Sequence, residues 1–123
     1  MGGKILIIDD DSDILETTGS ILEYEGFEIH TADSVERGLE MTEEISPDIV
    51  LLDIMFPESK TRGFEAAREL KARHPKLPII VLTAINREYA FEFTEQDIKA
   101  EEFLNKPVRT KKLVELIRQH IGG

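Results

Sequence analysis

The sequence predicts an α/β domain of the doubly wound kind, a five-stranded parallel sheet with five helices packed on its two faces. Three observations predict it. Four short runs, Ile5-Leu6-Ile7-Ile8, Ile49-Val50-Leu51-Leu52, Ile79-Ile80-Val81-Leu82 and Phe103-Leu104-Asn105, are apolar with little alternation, which marks strands covered on both faces. Segments of helical period separate them, so strand and helix alternate along the chain. Each run also leads into a polar residue, which matters because ligands of open α/β sheets bind outside the carboxyl ends of the strands.

Taken in order, the first strand runs into Asp9-Asp10-Asp11. The first helix follows from Ile14, Leu15, Thr18, Ile21 and Leu22 at helical spacing, with Gly26 where a left-handed residue would end it. Asp11 or Ser12 is expected to cap it. Phe27 to Thr31 alternates and reads as a second, peripheral strand. Asp33 with Glu36 is the expected capping pair of a second helix carrying Val35, Leu39 and Met41. The third strand ends at Asp53. Phe64, Ala67, Leu70 and Lys71 mark a third helix, stopped by Pro75. The fourth strand leads into Thr83-Ala84. A fourth helix is expected over Asn86 to Ile98, where acidic residues dilute the pattern. The fifth strand leads into Lys106-Pro107. Thr110 is the expected cap of a last helix with Leu113, Leu116, Ile117 and Ile121 on its buried side.

At 123 residues the chain reads as one domain, residues 1–123 with a core from about 4 to 121. No apolar run approaches the roughly 20 residues of a membrane-spanning helix, and Met1-Gly2-Gly3-Lys4 leads straight into a strand, so neither membrane nor secretory signal is expected. The absence of cysteine excludes disulfides and thiolate metal sites and suits a cytoplasmic protein. Fifteen Lys and Arg stand against 25 Asp and Glu, a net charge of −10. Such a surface repels a phosphate backbone, so no direct nucleic-acid contact is expected.

The chemistry is read at the strand ends. Asp9 and Asp10 follow the first strand and Asp53 ends the third, its neighbour at the switch point of such a sheet. Carboxylates this close repel unless a cation neutralises them. Hard oxygen ligands with room for water and phosphate suit Mg²⁺, with Mn²⁺ as a second ion the set would accept. Thr83 and the backbone N–H of Ala84 can bind phosphoryl oxygens, and Lys106 can bridge a carboxylate and a phosphate. Singly, these residues read as caps, turn hydroxyls and solvated lysines; together they form a constellation.

The ordered set Asp9-Asp10, Asp53, Thr83-Ala84 and Lys106-Pro107 resembles the receiver domain of bacterial two-component response regulators, over essentially the whole chain. The resemblance implies a flavodoxin-like sheet of order 2-1-3-4-5. It implies that Asp53 is the phosphoacceptor, served by a histidine kinase or histidine phosphotransfer protein. It makes Asp10 the direct Mg²⁺ ligand, Asp9 a ligand acting largely through water, and the backbone carbonyl of Met55 the third protein ligand. Thr83, Ala84 and Lys106 then contact the acyl phosphate, and Phe103 takes the aromatic switch position. The family is a signalling phosphoacceptor rather than an enzyme, although it promotes its own phosphorylation and dephosphorylation. The face formed by the fourth helical segment, the fifth strand and the last helix would control an output domain or downstream protein, with homodimerisation on phosphorylation.

Departures from the family pattern concern partner and lifetime. The stretch Glu58 to Gly63 is longer than usual, Asn86 to Ile98 lacks the common alanine-rich pattern, and Lys99-Ala100 stands where Gly-Ala is usual. By the resemblance, Met55 and Ile85 take the family positions that border the approach of hydrolytic water, and as bulky apolar side chains predict a slowly hydrolysed phosphate. Two other readings make different demands on the sequence. A Mg²⁺-dependent aspartyl-nucleophile phosphatase would place a second Asp two residues after the nucleophile, where Asp53 has Met55. A non-phosphorylated binding module of the same fold would be expected to lack Asp53 or Lys106, and this chain has both.

Overall fold

The sheet is built from runs that are apolar on both faces, and it sorts them cleanly. In the computed structural model, which describes residues 3–53, 62–83, 102–105 and 109–121, β1 (Lys4–Ile8), β2 (Glu28–Ala32), β3 (Ile49–Asp53), β4 (Ile79–Thr83) and β5 (Glu102–Asn105) pair in the order β2-β1-β3-β4-β5. All four pairings are parallel. Because successive side chains alternate across a strand, Leu6, Ile8, Val50, Leu52, Ile79 and Val81 join one core cluster. Ile5, Ile7, Ile49, Leu51, Ile80 and Leu82 join the other. Most of these are fully buried, each contributing about 1.5–3 kcal/mol.

Four helices cover the described sheet, two on each face. The helices α2 (Val35–Ile45) and α3 (Arg62–Arg73) close the first cluster with Val35, Ala66, Ala67 and Leu70. The helices α1 (Ser12–Tyr24) and α4 (Thr110–Ile121) close the second with Leu15, Leu22, Leu113, Val114, Leu116 and Ile117. This is the doubly wound arrangement. The helix expected over Asn86 to Ile98 lies outside the described residues, as does the stretch 54–61. Among the described residues no helix is long and apolar enough to cross a membrane.

The helix ends explain why the elements stop where they do, and they correct several expectations. At the end of α1, Gly26 has φ 101, donates its N–H to Glu23 O at 2.9 Å, and is followed by Phe27 donating to Leu22 O at 3.2 Å. That pair of bonds is a Schellman motif, and its apolar contact is supplied by Phe27 and Leu22 in one cluster. The face of α1 is rotated from the expected one: Gly19 is buried while Ile21 is 37% exposed. The cap of α2 is Ser34, whose Oγ accepts from Arg37 N at 3.2 Å, rather than Asp33. Thr110 is already inside α4, where the first bond runs from Leu113 N to Arg109 O. In each case the segment enters the helix one residue away from the best-looking cap, because packing of Val35 and Leu113 fixes the phase of the helix. Arg118 of α4 stacks 5.7 Å above the Phe27 ring and donates to Glu25 O at 3.4 Å, joining α4 to the turn that ends α1.

Candidate functional site

The carboxyl edge of the sheet holds four of the polar residues singled out from the sequence, Asp9, Asp10, Asp53 and Thr83. Ile8 of β1 pairs with Leu52 of β3, so one step further Asp9 comes level with Asp53, the last residue of β3. Asp53 pairs in turn with Leu82, and Thr83, the last residue of β4, pairs with Asn105, the last of β5. Parallel strands all end on the same side, so Asp9, Asp10, Asp53 and Thr83 belong to one edge. Phe103 lies within β5, opposite Val81. For Asp53, Thr83 and Phe103 the description extends to backbone and register. Met55, Ala84, Ile85 and Lys106 lie outside the described residues, as do Lys99-Ala100 and the 58–61 part of the longer loop.

Asp9 is tightly held. It is 1% exposed, its N–H donates to Ala32 O of β2 at 3.1 Å, and its Oδ1 accepts from Asp11 N at 2.9 Å. A buried carboxylate is costly unless hydrogen bonds or a cation compensate it. Asp10, next in the chain, is exposed. Asp11 caps α1 from an extended conformation (φ −94, ψ 107), its Oδ1 accepting from Asp13 N at 2.9 Å and Ile14 N at 3.3 Å. The N-terminus of α1 thus follows directly on the acids, and its partial positive charge favours them by about 0.3–1 kcal/mol.

Two contacts that sequence reasoning missed hold this corner in place. Gly38 on α2 lets the helix lie against the end of β1, since a Cβ there would come within 2.7 Å of Ile8 Cγ1. The visible signal was a glycine inside a helical pattern, which often marks close packing. The Asp11 N–H on Asp9 left no trace in the sequence, because any residue at that position carries the donor.

The donor set suits a hard divalent cation. Asp9 and Asp10 offer carboxylate oxygens beside the N-terminal turn of α1, and Asp53 ends the neighbouring strand. Among the described residues no three acidic or imidazole side chains gather closely enough to hold a metal ion. Nitrogen and sulfur donors are missing from the set, which disfavours Zn²⁺ and fits Mg²⁺.

Comparison with known proteins gives the same picture at greater range. The family model of the response regulator receiver domain matches residues 5–118. The alkaline phosphatase synthesis transcriptional regulatory protein PhoP of Bacillus subtilis is 32% identical over 107 residues, 87% of this chain and 43% of PhoP. The chain therefore spans less than half the length of that relative. A CheY-like receiver domain protein of Methanospirillum hungatei has 30% identity and a TM-score of 0.88, covering 99% of this chain and 95% of its own. A receiver domain protein of Clostridium thermocellum has 34% identity and a TM-score of 0.85 over the same shares.

Proposed function

The chain belongs to the response regulator receiver family of two-component signalling, and from that premise we propose that Asp53 is its phosphoacceptor. The observation that carries the reading is the register: Asp9 level with Asp53, and Thr83 one step beyond on the next strand, at one edge of the sheet. Receiver domains generally bind Mg²⁺ for phosphorylation, and here Asp10 would be the direct ligand, with Asp9 acting largely through water, joined by Asp53 and the Met55 carbonyl; Mn²⁺ would serve as well. When bound, the cation neutralises charge on the transferring phosphoryl group.

The reaction balances simply. A carboxylate oxygen of Asp53 attacks phosphorus, the P–N bond of a phosphohistidine on the kinase or phosphotransfer protein breaks, and the imidazole leaves with a proton. Thr83, the Ala84 N–H and Lys106 bind the phosphoryl oxygens, the lysine supplying charge. Acyl phosphate formation and its hydrolysis are thus promoted by the chain itself, although it is a signalling acceptor rather than an enzyme. The new charge, roughly −1.5 to −2 by analogy with other phosphorylated side chains, draws Thr83 inward. Phe103 then turns into the vacated space, and the face formed by segment 86–98, β5 and α4 changes its partner preference.

The remaining features follow the same reading. On this reading residues 1–123 are a single receiver domain with a core of about 4–121, and the helix expected over 86–98 is the fourth of five. The partners are the kinase or phosphotransfer protein, an output domain or downstream protein, and a second copy on phosphorylation. Nucleic acid and membrane are not partners of this acidic, cytoplasmic domain. Incubation with acetyl phosphate and Mg²⁺ is expected to add one phosphate by intact mass, and Asp53→Asn to abolish it. Labelling that persists in Asp53→Asn would overturn the assignment. The same mass signal, followed in time, should decay slowly because Met55 and Ile85 exclude water, and faster in Met55→Asn or Ile85→Glu.

A further inference from the structure

Asp11 connects the start of α1 to the acid site, and we propose that it is a positioning residue for Asp9. By capping the helix, its side chain fixes the backbone N–H that holds the Asp9 carboxylate for metal binding. The inference rests on the reading that Asp9 belongs to a Mg²⁺ site.

Asp9 is buried, and its Oδ1 takes the Asp11 N–H at 2.9 Å. Where that N–H points depends on the backbone of residue 11. The backbone is in turn held in its extended conformation by the side chain of the same residue, which accepts from Asp13 N at 2.9 Å and Ile14 N at 3.3 Å. One residue therefore makes both bonds, with its carboxylate engaged on the helix and its N–H on the neighbouring acid. Partners that orient a metal ligand without touching the metal set its geometry. An internal comparison exists at the next helix along the same edge. Ser34 caps α2 through a single bond to Arg37 N at 3.2 Å.

The test is titration of the full chain with Mg²⁺, followed by calorimetry, together with amide exchange in the metal-free protein. Outer-shell partners typically carry 10–100-fold of metal affinity; because Asp11→Ala keeps the N–H and loses only what fixes it, a drop of about 3–10-fold is expected. The amide at position 11 should exchange faster in that variant. Asp11→Asn keeps a cap of similar quality without the charge, and is expected to bind Mg²⁺ within about twofold of wild type. Ser34→Ala should lose comparable thermal stability with unchanged affinity. Asp11→Ala binding as wild type does, or Asp11→Asn losing as much as Asp11→Ala, would overturn the proposal. Asp9→Asn separates the layers: if it weakens Mg²⁺ while Asp11→Ala does not, only the positioning role fails. If Asp9→Asn itself leaves affinity unchanged, the metal-site reading fails and takes the positioning role with it.

Discussion

The two edges of the sheet use the same residue types to opposite ends. At the amino edge Lys4, Asp48 and Lys71 are tied to backbone. Asp48 Oδ2 accepts from Lys4 N at 2.8 Å, and Asp48 N donates to Lys4 O at 2.8 Å. Lys4 Nζ donates to Ile45 O at 2.8 Å, and Lys71 Nζ to Leu77 O at 2.9 Å. These lysines satisfy carbonyls at the ends of α2 and after α3, where cations are favoured. At the carboxyl edge, acids gather with acids: Asp9, Asp10 and Asp53 stand at adjacent strand ends. The aspartates of the two edges differ in neighbours, not in kind. Asp48 binds the main chain of β1 across the sheet edge, whereas Asp9 takes an N–H from Asp11, two residues along, with Asp10 next to it in the chain.

The contrast can be broken at either edge. The largest effect is expected from the acids themselves: Asp10→Asn should weaken Mg²⁺ by about tenfold or more and Asp9→Asn by less, as direct ligation outweighs ligation through water. Asp48→Asn, at the amino edge, should leave Mg²⁺ affinity and phosphorylation unchanged. Metal titration of the three variants checks the ranking, and an equal loss in Asp48→Asn would erase the distinction between the edges.

A second expectation concerns the wall behind Asp9. Gly38→Ala drives a methyl into Ile8, which is fully buried and β-branched. The cost should be about 1–3 kcal/mol in chemical denaturation, as for other overpacked cores. A variant as stable as wild type would mean that α2 can retreat without penalty.

The smallest effect lies on β2, away from both clusters of acids. A hydrogen bond from His30, 2.7 Å away, holds the Glu28 carboxyl below its ordinary value of 4.5. A depressed carboxyl contributes stability above its unfolded value and loses it as pH falls through the folded one. Glu28 is fully exposed, so the contribution to stability is negligible. In an NMR titration, His30→Ala should bring the Glu28 carboxyl back up toward 4.5; an unmoved midpoint would show that the pair does not form in solution.

Much of this was legible in the sequence, for reasons that differ by element. Strands β1, β3 and β4 were plain because burial on both faces leaves unbroken apolar runs. Their ends were equally plain, since an aspartate or threonine closing such a run has no place inside the sheet. The face of α1 was misread because Ile21 looks like core and Gly19 does not. Burial there is decided by how closely Ile29 of β2 lies against the helix, with 3.4 Å separating its Cγ2 from a Cβ built at Gly19. The caps of α2 and α4 were displaced by one residue: Asp33 and Ser34 are equally good cap residues and only packing selects between them, while α4 starts from Arg109, which carries no capping signature. The bond from Asp11 N to Asp9 was illegible because a backbone donor carries no side-chain signature.

The two described ends of the chain meet: a Cβ at Gly3 would come within 2.7 Å of Ile121 Cδ1. The contact lies where β1 begins and α4 finishes, on the amino edge. Any segment fused beyond either end thus departs from the side opposite Asp53. The five residues of β1, at about 3.3 Å each, put roughly 17 Å of strand between that departure point and the acids.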